Sequence, residues 1–321
     1  MDKDYWNKYA MPPEADQFLD EVKEEFAQSF EVKDKFLSGW LKHHNETKGK
    51  WIRARLALAA GGLLGLSYQT VTKWAIVCEL IHSASLLHDD ICDQDTMRRG
   101  KTAVWKEFGV PAAICSGDYL IAESFRKLTE IEQGWHQNIL LKLLSNSVKA
   151  IVFGQSLDIS YEHLTINKEQ YKDIAIEKTS PLISMPMMGM FRCKELSDLE
   201  CDALEEISKE FGYAYQCLND MENLYGKEQE AYTDLTKGHP NIIVINVLNE
   251  QSEDINSQIK KHPSKLIKLI EKKHYLNCIK EIKNTLNEAE KIMHRLPIII
   301  RPILESLKNE ILMRIKIICI E

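Results

Sequence analysis

Apolar residues recur at three- and four-residue spacing along most of this chain, which leaves room for little besides helix. Trp74, Val77, Ile81, Ala84 and Leu87 trace one such stripe, and Leu140, Leu143, Leu144, Val148 and Ile151 trace another. Segments that alternate apolar and polar are nearly absent, so the expectation is an all-α protein of roughly ten or more helices. Breaks are expected at Pro12-Pro13, Gly61-Gly62, Gly109-Val110-Pro111, Gly134, Gly226, Gly238-His239-Pro240, His262-Pro263 and from Pro297 to Pro302. The chain has 321 residues, 44% of them hydrophobic, with 14 glycines and nine prolines and no linker-like stretch. A single domain over residues 1–321 is the simplest organisation.

A formal net charge of -7 argues against a nucleic-acid partner, which would be met by a basic face. Lys260, Lys261, Lys265, Lys268, Lys272 and Lys273 form a basic stretch, but Leu266, Leu269, Ile270 and Leu276 are interleaved with them. That pattern predicts a solvated helix face. The first residues, Met1-Asp2-Lys3-Asp4-Tyr5-Trp6, lack a basic segment followed by an apolar one, so no signal peptide is expected. The longest apolar run, Leu56 to Leu66, is too short for a transmembrane segment. Cys78, Cys92, Cys115, Cys193, Cys201, Cys217, Cys278 and Cys319 are scattered without a CxxC pair. They read as buried small hydrophobes in a reducing compartment, which predicts a cytoplasmic protein.

Chemistry concentrates between Leu86 and Gly100. Four carboxylates, Asp89, Asp90, Asp93 and Asp95, are followed there by two guanidiniums, Arg98 and Arg99. On a helix Asp89 and Asp93 share a face one turn apart and could hold a hard cation such as Mg2+ between them. The two arginines, about two turns on, could grip phosphate oxygens. The same residues also suit an acidic helix surface that ends in Arg-Arg-Gly because cations and a glycine favour a helix C-terminus. Charge patterning alone favours that second reading.

Other short patterns shift the balance. In order along the chain they are Gly49-Lys50-Trp51-Ile52-Arg53, Glu79-Leu80-Ile81-His82, Asp89-Asp90-x-x-Asp93 with Arg98-Arg99-Gly100, and Gly117-Asp118-Tyr119-Leu120. Gly154-Gln155-x-Leu157-Asp158, Lys178-Thr179, Tyr215-Gln216 and Asp234-Leu235 follow. From about Gly49 to about Pro240 the chain resembles the trans-isoprenyl diphosphate synthases. The resemblance implies a class I isoprenoid synthase fold, a helical bundle around a central cavity, acting as a homodimer. It implies a Mg2+-dependent prenyltransferase that condenses isopentenyl diphosphate with an allylic prenyl diphosphate. By the same resemblance Asp89, Asp90 and Asp93 are the metal ligands, and Arg98 contacts the allylic diphosphate. Lys50, Arg53, His82 and Arg99 correspond to a metal-free basic cluster for isopentenyl diphosphate. Lys178, Thr179 and Gln216 match positions that hold diphosphate and stabilise the cation, and Gln155 and Asp158 match a supporting pair. Taken singly, Lys50 and Arg53 could be exposed charges and His82 a satisfied core histidine.

The chain departs from the family in its second aspartate motif, which reads Asn219-Asp220-Met221-Glu222-Asn223. Asp220 keeps a charged ligand for a third metal, while Asn219 and Asn223 offer only amide oxygens, which bind Mg2+ more weakly. Two later family lysines fall near Gln229 and on His239, with Lys227 and Lys237 close by as replacements. Relatives with such changes include terpene synthases, peptide prenyltransferases and noncatalytic partner subunits. Asn219 and Asn223 resemble two of the three ligands of a terpene-cyclase motif, but the third position falls on Lys227, whose ammonium cannot bind metal. Ser85 and Ala84, four and five residues before Asp89, are small where short-chain relatives have aromatic rings. Products of twenty carbons or more are therefore expected.

Overall fold

The computed structural model describes residues 15–46, 49–161, 166–224, 240–252, 256, 266 and 268–320. The apolar stripes become twelve α-helices among these residues. They are α1 (Ala15–Gln28), α2 (Lys35–Asn45), α3 (Ile52–Leu63), α4 (Tyr68–Cys92), α5 (Val104–Phe108) and α6 (Val110–Leu128). After them come α7 (Gly134–Ser160), α8 (Lys168–Cys193), α9 (Asp198–Leu224), α10 (Ile242–Asn249), α11 (Lys272–Ile292) and α12 (Arg301–Ile320). Two-residue strands β1 (Met97–Arg98) and β2 (Lys101–Thr102) pair antiparallel. The all-α expectation holds.

The expected breaks hold in part. Gly109 separates α5 from α6 and Gly134 opens α7, but Gly61 and Gly62 lie inside α3. Packing overrides glycine's low helix propensity there, because Gly61 lies where a Cβ would stand 2.4 Å from Val71. Pro12, Pro13, Gly226, Gly238, His239, His262 and Pro263 lie outside the described residues, as do Lys227, Gln229, Asp234, Leu235 and Lys237. Of the basic stretch, Lys272 and Lys273 are exposed on α11 as expected, whereas Lys268 lies in a turn before that helix. Five of the cysteines, Cys78, Cys193, Cys201, Cys217 and Cys278, are buried, Cys92 is half-buried and Cys115 is exposed. Among the described residues, no helix is long and apolar enough to cross a membrane.

The chain divides into two compact units. The first comprises Met1–Lys149, Leu182–Leu204 and Leu296–Ser306; the second comprises Ala150–Pro181, Glu205–Arg295 and Leu307–Glu321. In the first unit α4 packs along α6 and α3 and buries Trp74, Ile76, Leu80 and Leu87. Trp74 is fully enclosed, and its indole N–H donates to the Pro186 carbonyl at 3.0 Å, so its one polar atom is satisfied. The core of the second unit includes Tyr171, Phe211, Tyr213, Leu218, Ile242 and Ile282. Burying each large apolar side chain contributes about 1.5–3 kcal/mol.

Candidate functional site

In the first unit the acidic segment sits at the end of α4, which stops at Cys92 with Asp93 as its C-cap. The amide of Asp93 donates to the Asp89 carbonyl at 2.8 Å, so the two carboxylates stand one helical turn apart, both half-buried. Asp90 points elsewhere. It is 2% exposed and accepts from Arg98 Nε at 2.5 Å, in an ion pair with that guanidinium. Burial pushes its carboxyl up to about 6 against the pull of Arg98, with Asp95 and Asp89 adding to the rise. Asp95, which had no role in the sequence reading, is the second partner of Arg98, at 3.2 Å.

Arg98 and Arg99 are not helical. They lie in the β1–β2 hairpin, where Arg99 and Gly100 form the two-residue turn with φ of 52° and 80°. Positive φ at both turn residues suits the right-handed twist of a tight hairpin. The turn brings Arg98 back onto Asp90, eight residues earlier. His43 of α2 holds the hairpin by a 2.8 Å hydrogen bond from Nε2 to the Thr102 carbonyl, and Lys101 pairs with Glu46.

Of the expected basic cluster, Arg53, His82 and Arg99 lie within electrostatic reach of one another near the same hairpin. Gly49 lies where a Cβ would stand 3.0 Å from Arg99 Nη1, so the bare glycine seats that guanidinium. Glu79 of α4 accepts from the Ala54 amide at 2.9 Å, satisfying a backbone donor at the N-terminus of α3 next to Arg53. His82 is half-buried, and its pKa is driven well below the ordinary value by burial, then by the charges of Arg53, Arg99, His44 and Arg98. It is therefore a neutral imidazole among cations, and its Nδ1 is buried with no hydrogen-bond partner among the described residues. Lys50 is exposed. Sequence reasoning missed His44, which is buried and held down to about 3 by burial and then by Arg99, Arg98 and His43. One turn below the carboxylates, Ala84 is buried, and Ser85 is half-buried with its hydroxyl donating to the His82 carbonyl at 2.8 Å.

The second unit holds Lys178, Thr179 and Gln216. Pro181 lacks the N–H that would bond the Glu177 carbonyl. Here α7 comes very close to α8, for a Cβ on Gly154 would lie 2.3 Å from that carbonyl oxygen. Lys178 pairs with Asp158 of α7 at 2.5 Å, a link between the two motifs that the sequence did not suggest. Gln155 lies half-buried three residues earlier on the same helix. Thr179 donates to Gln216 Oε1 at 3.3 Å, and Gln216 Nε2 donates to Asp220 Oδ1 at 2.9 Å.

Asp220 was expected to bind metal; the geometry gives it other work. It is 3% exposed and also accepts from Tyr171 at 2.6 Å and from the Ile242 amide that opens α10 at 2.8 Å. Burial pushes its carboxyl up to about 7 in spite of these three donors. Asn219, the weaker expected ligand, accepts from Arg314 Nη2 at 3.2 Å, and Asn223 is exposed. Arg314 also grips Glu222, from Nε at 2.8 Å and from Nη2 at 2.5 Å. No sequence signal marked Arg314, which is 95 residues from Asn219.

The two sets of donors differ in their fitness for a metal. Asp89 and Asp93 present hard, partly accessible carboxylate oxygens one turn apart, a set that suits Mg2+ completed by waters and substrate phosphates. Among the described residues no three His, Cys, Asp or Glu side chains converge on one point. The second motif does not fit: Asp220 is spent on three donors, and Asn219 faces a guanidinium.

Comparison with known proteins gives the family. Polyprenyl synthetase is the family whose model matches residues 34–279. A short chain isoprenyl diphosphate synthase of Methanocaldococcus jannaschii is 31% identical over 240 residues, covering 74% of this chain and 73% of that protein. A geranylgeranyl diphosphate synthase of Saccharolobus solfataricus is 32% identical over 214 residues, 64% of each chain. Among solved structures, the geranylgeranyl pyrophosphate synthetase of Pyrococcus horikoshii superposes with a TM-score of 0.81 at 21% identity, covering 98% of both chains. With helices that reproduce the fold of such enzymes and a sequence match across most of its length, this chain belongs to the polyprenyl synthetase family.

Proposed function

We propose that this chain is a Mg2+-dependent trans-prenyltransferase that condenses isopentenyl diphosphate with an allylic prenyl diphosphate, yielding pyrophosphate and a prenyl diphosphate of twenty carbons or more. Family membership makes it a prenyltransferase of the isoprenyl diphosphate synthase type. The carrying observation is the cluster of Arg53, Arg99 and neutral His82, since a second diphosphate needs a cationic seat of its own.

In the reaction the allylic C1–O bond breaks and its electron pair leaves on the diphosphate. The alkene of the acceptor supplies the pair for the new carbon–carbon bond, and a proton is then lost. Asp89 and Asp93 would hold the metal, which when bound would supply Lewis-acid neutralisation of the charge on the departing diphosphate. Asp90 keeps Arg98 oriented by their ion pair. Arg53 and Arg99 clamp the acceptor diphosphate with Lys50, and His82 donates to it without adding charge. Lys178, steadied by Asp158, holds diphosphate, while the Thr179 and Gln216 oxygens turn their dipoles toward the cation.

The chain works as one domain and as a homodimer in the cytoplasm. The dimer is supported by α7, where Leu141, Val152 and Ile159 are exposed at spacings of 11 and seven residues. At about 3.6 residues per turn they fall within ~20° of one another on one face. A polyprenyl synthase of Caulobacter crescentus with a TM-score of 0.73 was solved complexed with calcium and isoprenyl diphosphate, which is in keeping with a divalent metal here.

The acceptor seat is tested by calorimetric titration of isopentenyl diphosphate with chelator present. Saturable binding without metal, weakened about tenfold or more by Arg53→Ala, is expected. Binding that requires metal, or that Arg53→Ala leaves unchanged, contradicts it.

A further inference from the structure

Arg314 of α12 is one of the most enclosed cations of the second unit. Its side chain is 7% exposed, and its guanidinium lies 4.9 Å from the ring centre of Tyr215. Two of its three nitrogens are engaged: Nε and Nη2 grip both oxygens of Glu222, and Nη2 also reaches Asn219 Oδ1. The third nitrogen, Nη1, is buried and makes no hydrogen bond among the described residues, while the guanidinium as a whole also interacts with the Tyr215 side chain. Leaving a charged donor unsatisfied inside a protein is costly, so such a group marks a place for an anion.

Its neighbours explain why a metal does not take that place. A third Mg2+ would need charged oxygens, yet Asn219 and Asn223 are neutral and Asp220 already accepts three hydrogen bonds. The guanidinium is a fixed positive charge 3.2 Å from the amide oxygen that a metal would require. Asn219 suits this arrangement, since its amide oxygen accepts from arginine while Glu222 supplies an opposite charge.

We propose that Arg314 replaces a metal ion in the second motif: Glu222 and Asn219 hold its guanidinium as a permanent cation, and Nη1 binds a diphosphate oxygen. The motif is then a metal-free diphosphate clamp. The assignment rests on the prenyl-diphosphate reading above.

The test counts Mn2+ bound per chain by electron paramagnetic resonance with inorganic pyrophosphate present, and measures pyrophosphate affinity by calorimetry. Asn219→Ala is expected to leave the Mn2+ count unchanged, whereas Asp89→Asn lowers it. Arg314→Gln is expected to weaken pyrophosphate about tenfold or more, with Arg314→Lys recovering part of the loss. The Asn219→Asp/Arg314→Gln double variant should bind one Mn2+ more than wild type. A count that falls in Asn219→Ala overturns the proposal. So does unchanged pyrophosphate affinity in Arg314→Gln, with thermal melting used to confirm that the variant folds. If wild type binds no Mn2+ at all, the reading of Asp89 and Asp93 fails, and the pyrophosphate comparison still decides the role of Arg314.

Discussion

A carboxylate that titrates at about 7 inside the fold leaves a mark on stability. Asp220 ionises near 3.8 when exposed, so between that pH and about 7 the folded chain holds a proton that the unfolded chain has lost. Its contribution is fully present below about pH 4 and is lost as pH rises toward 7, by on the order of a few kcal/mol. Asp90, pushed up to about 6, acts in the same direction, so the test must be a comparison. In Asp220→Asn the slope of urea-unfolding free energy between about pH 4 and 7 should flatten relative to wild type, because an amide does not titrate there. Equal slopes would mean that Asp220 stays ionised. At the proposed metal ligands, Asp89→Asn or Asp93→Asn should cut turnover by about a hundredfold or more and leave the melting temperature within a few degrees. Each change removes a charged ligand from a half-buried position and no core contact. Near-normal turnover at saturating Mg2+ in either variant contradicts the assignment. That Asp89 and Asp93 stand one turn apart was legible, because helical spacing fixes it. Arg314 and His44 were not, since each acquires its surroundings from residues distant in sequence.

At the scale of elements, α4 was the most readable part of the chain. Its apolar stripe from Trp74 to Leu87 predicted both the helix and its buried face, and the carboxylates follow from its register. The hairpin after it was not readable, because two-residue strands show no alternation and Arg-Arg-Gly suits a helix end equally well. The antiparallel pairing of Arg98 with Lys101 and the positive φ at Arg99 distinguish the two, and both are tertiary outcomes. The prolines inside α8 were hidden for a similar reason: packing keeps the helix continuous through Pro181 and Pro186 against the usual rule. The register of α4 also yields a test of product length. Ala84 and Ser85 lie roughly 6–8 Å along the axis from Asp89, at about 1.5 Å per residue, where small side chains leave a growing tail room to pass. Ala84→Phe or Ser85→Phe should shift products to shorter chains, as read by mass spectrometry of the dephosphorylated alcohols. Ser85→Phe is the cleaner variant, since Ala84 is 1% exposed and a ring there also strains the core. An unchanged product distribution in a folded Ser85→Phe enzyme would mean that other residues line the tail.

At the scale of the molecule, helical periodicity gave the fold class, and the ordered motifs gave the family. Neither showed the division into two units, because contacts between distant segments define it. On the proposed function, this chain extends an allylic diphosphate by isopentenyl units even with an altered second motif. The direct measurement is to incubate the pure protein with farnesyl diphosphate and Mg2+, with and without isopentenyl diphosphate, and to identify the products by mass spectrometry. Diphosphates of twenty carbons or more, formed only when isopentenyl diphosphate is present, are the predicted result; hydrocarbons or alcohols formed without it, or no turnover at all, would contradict the claim.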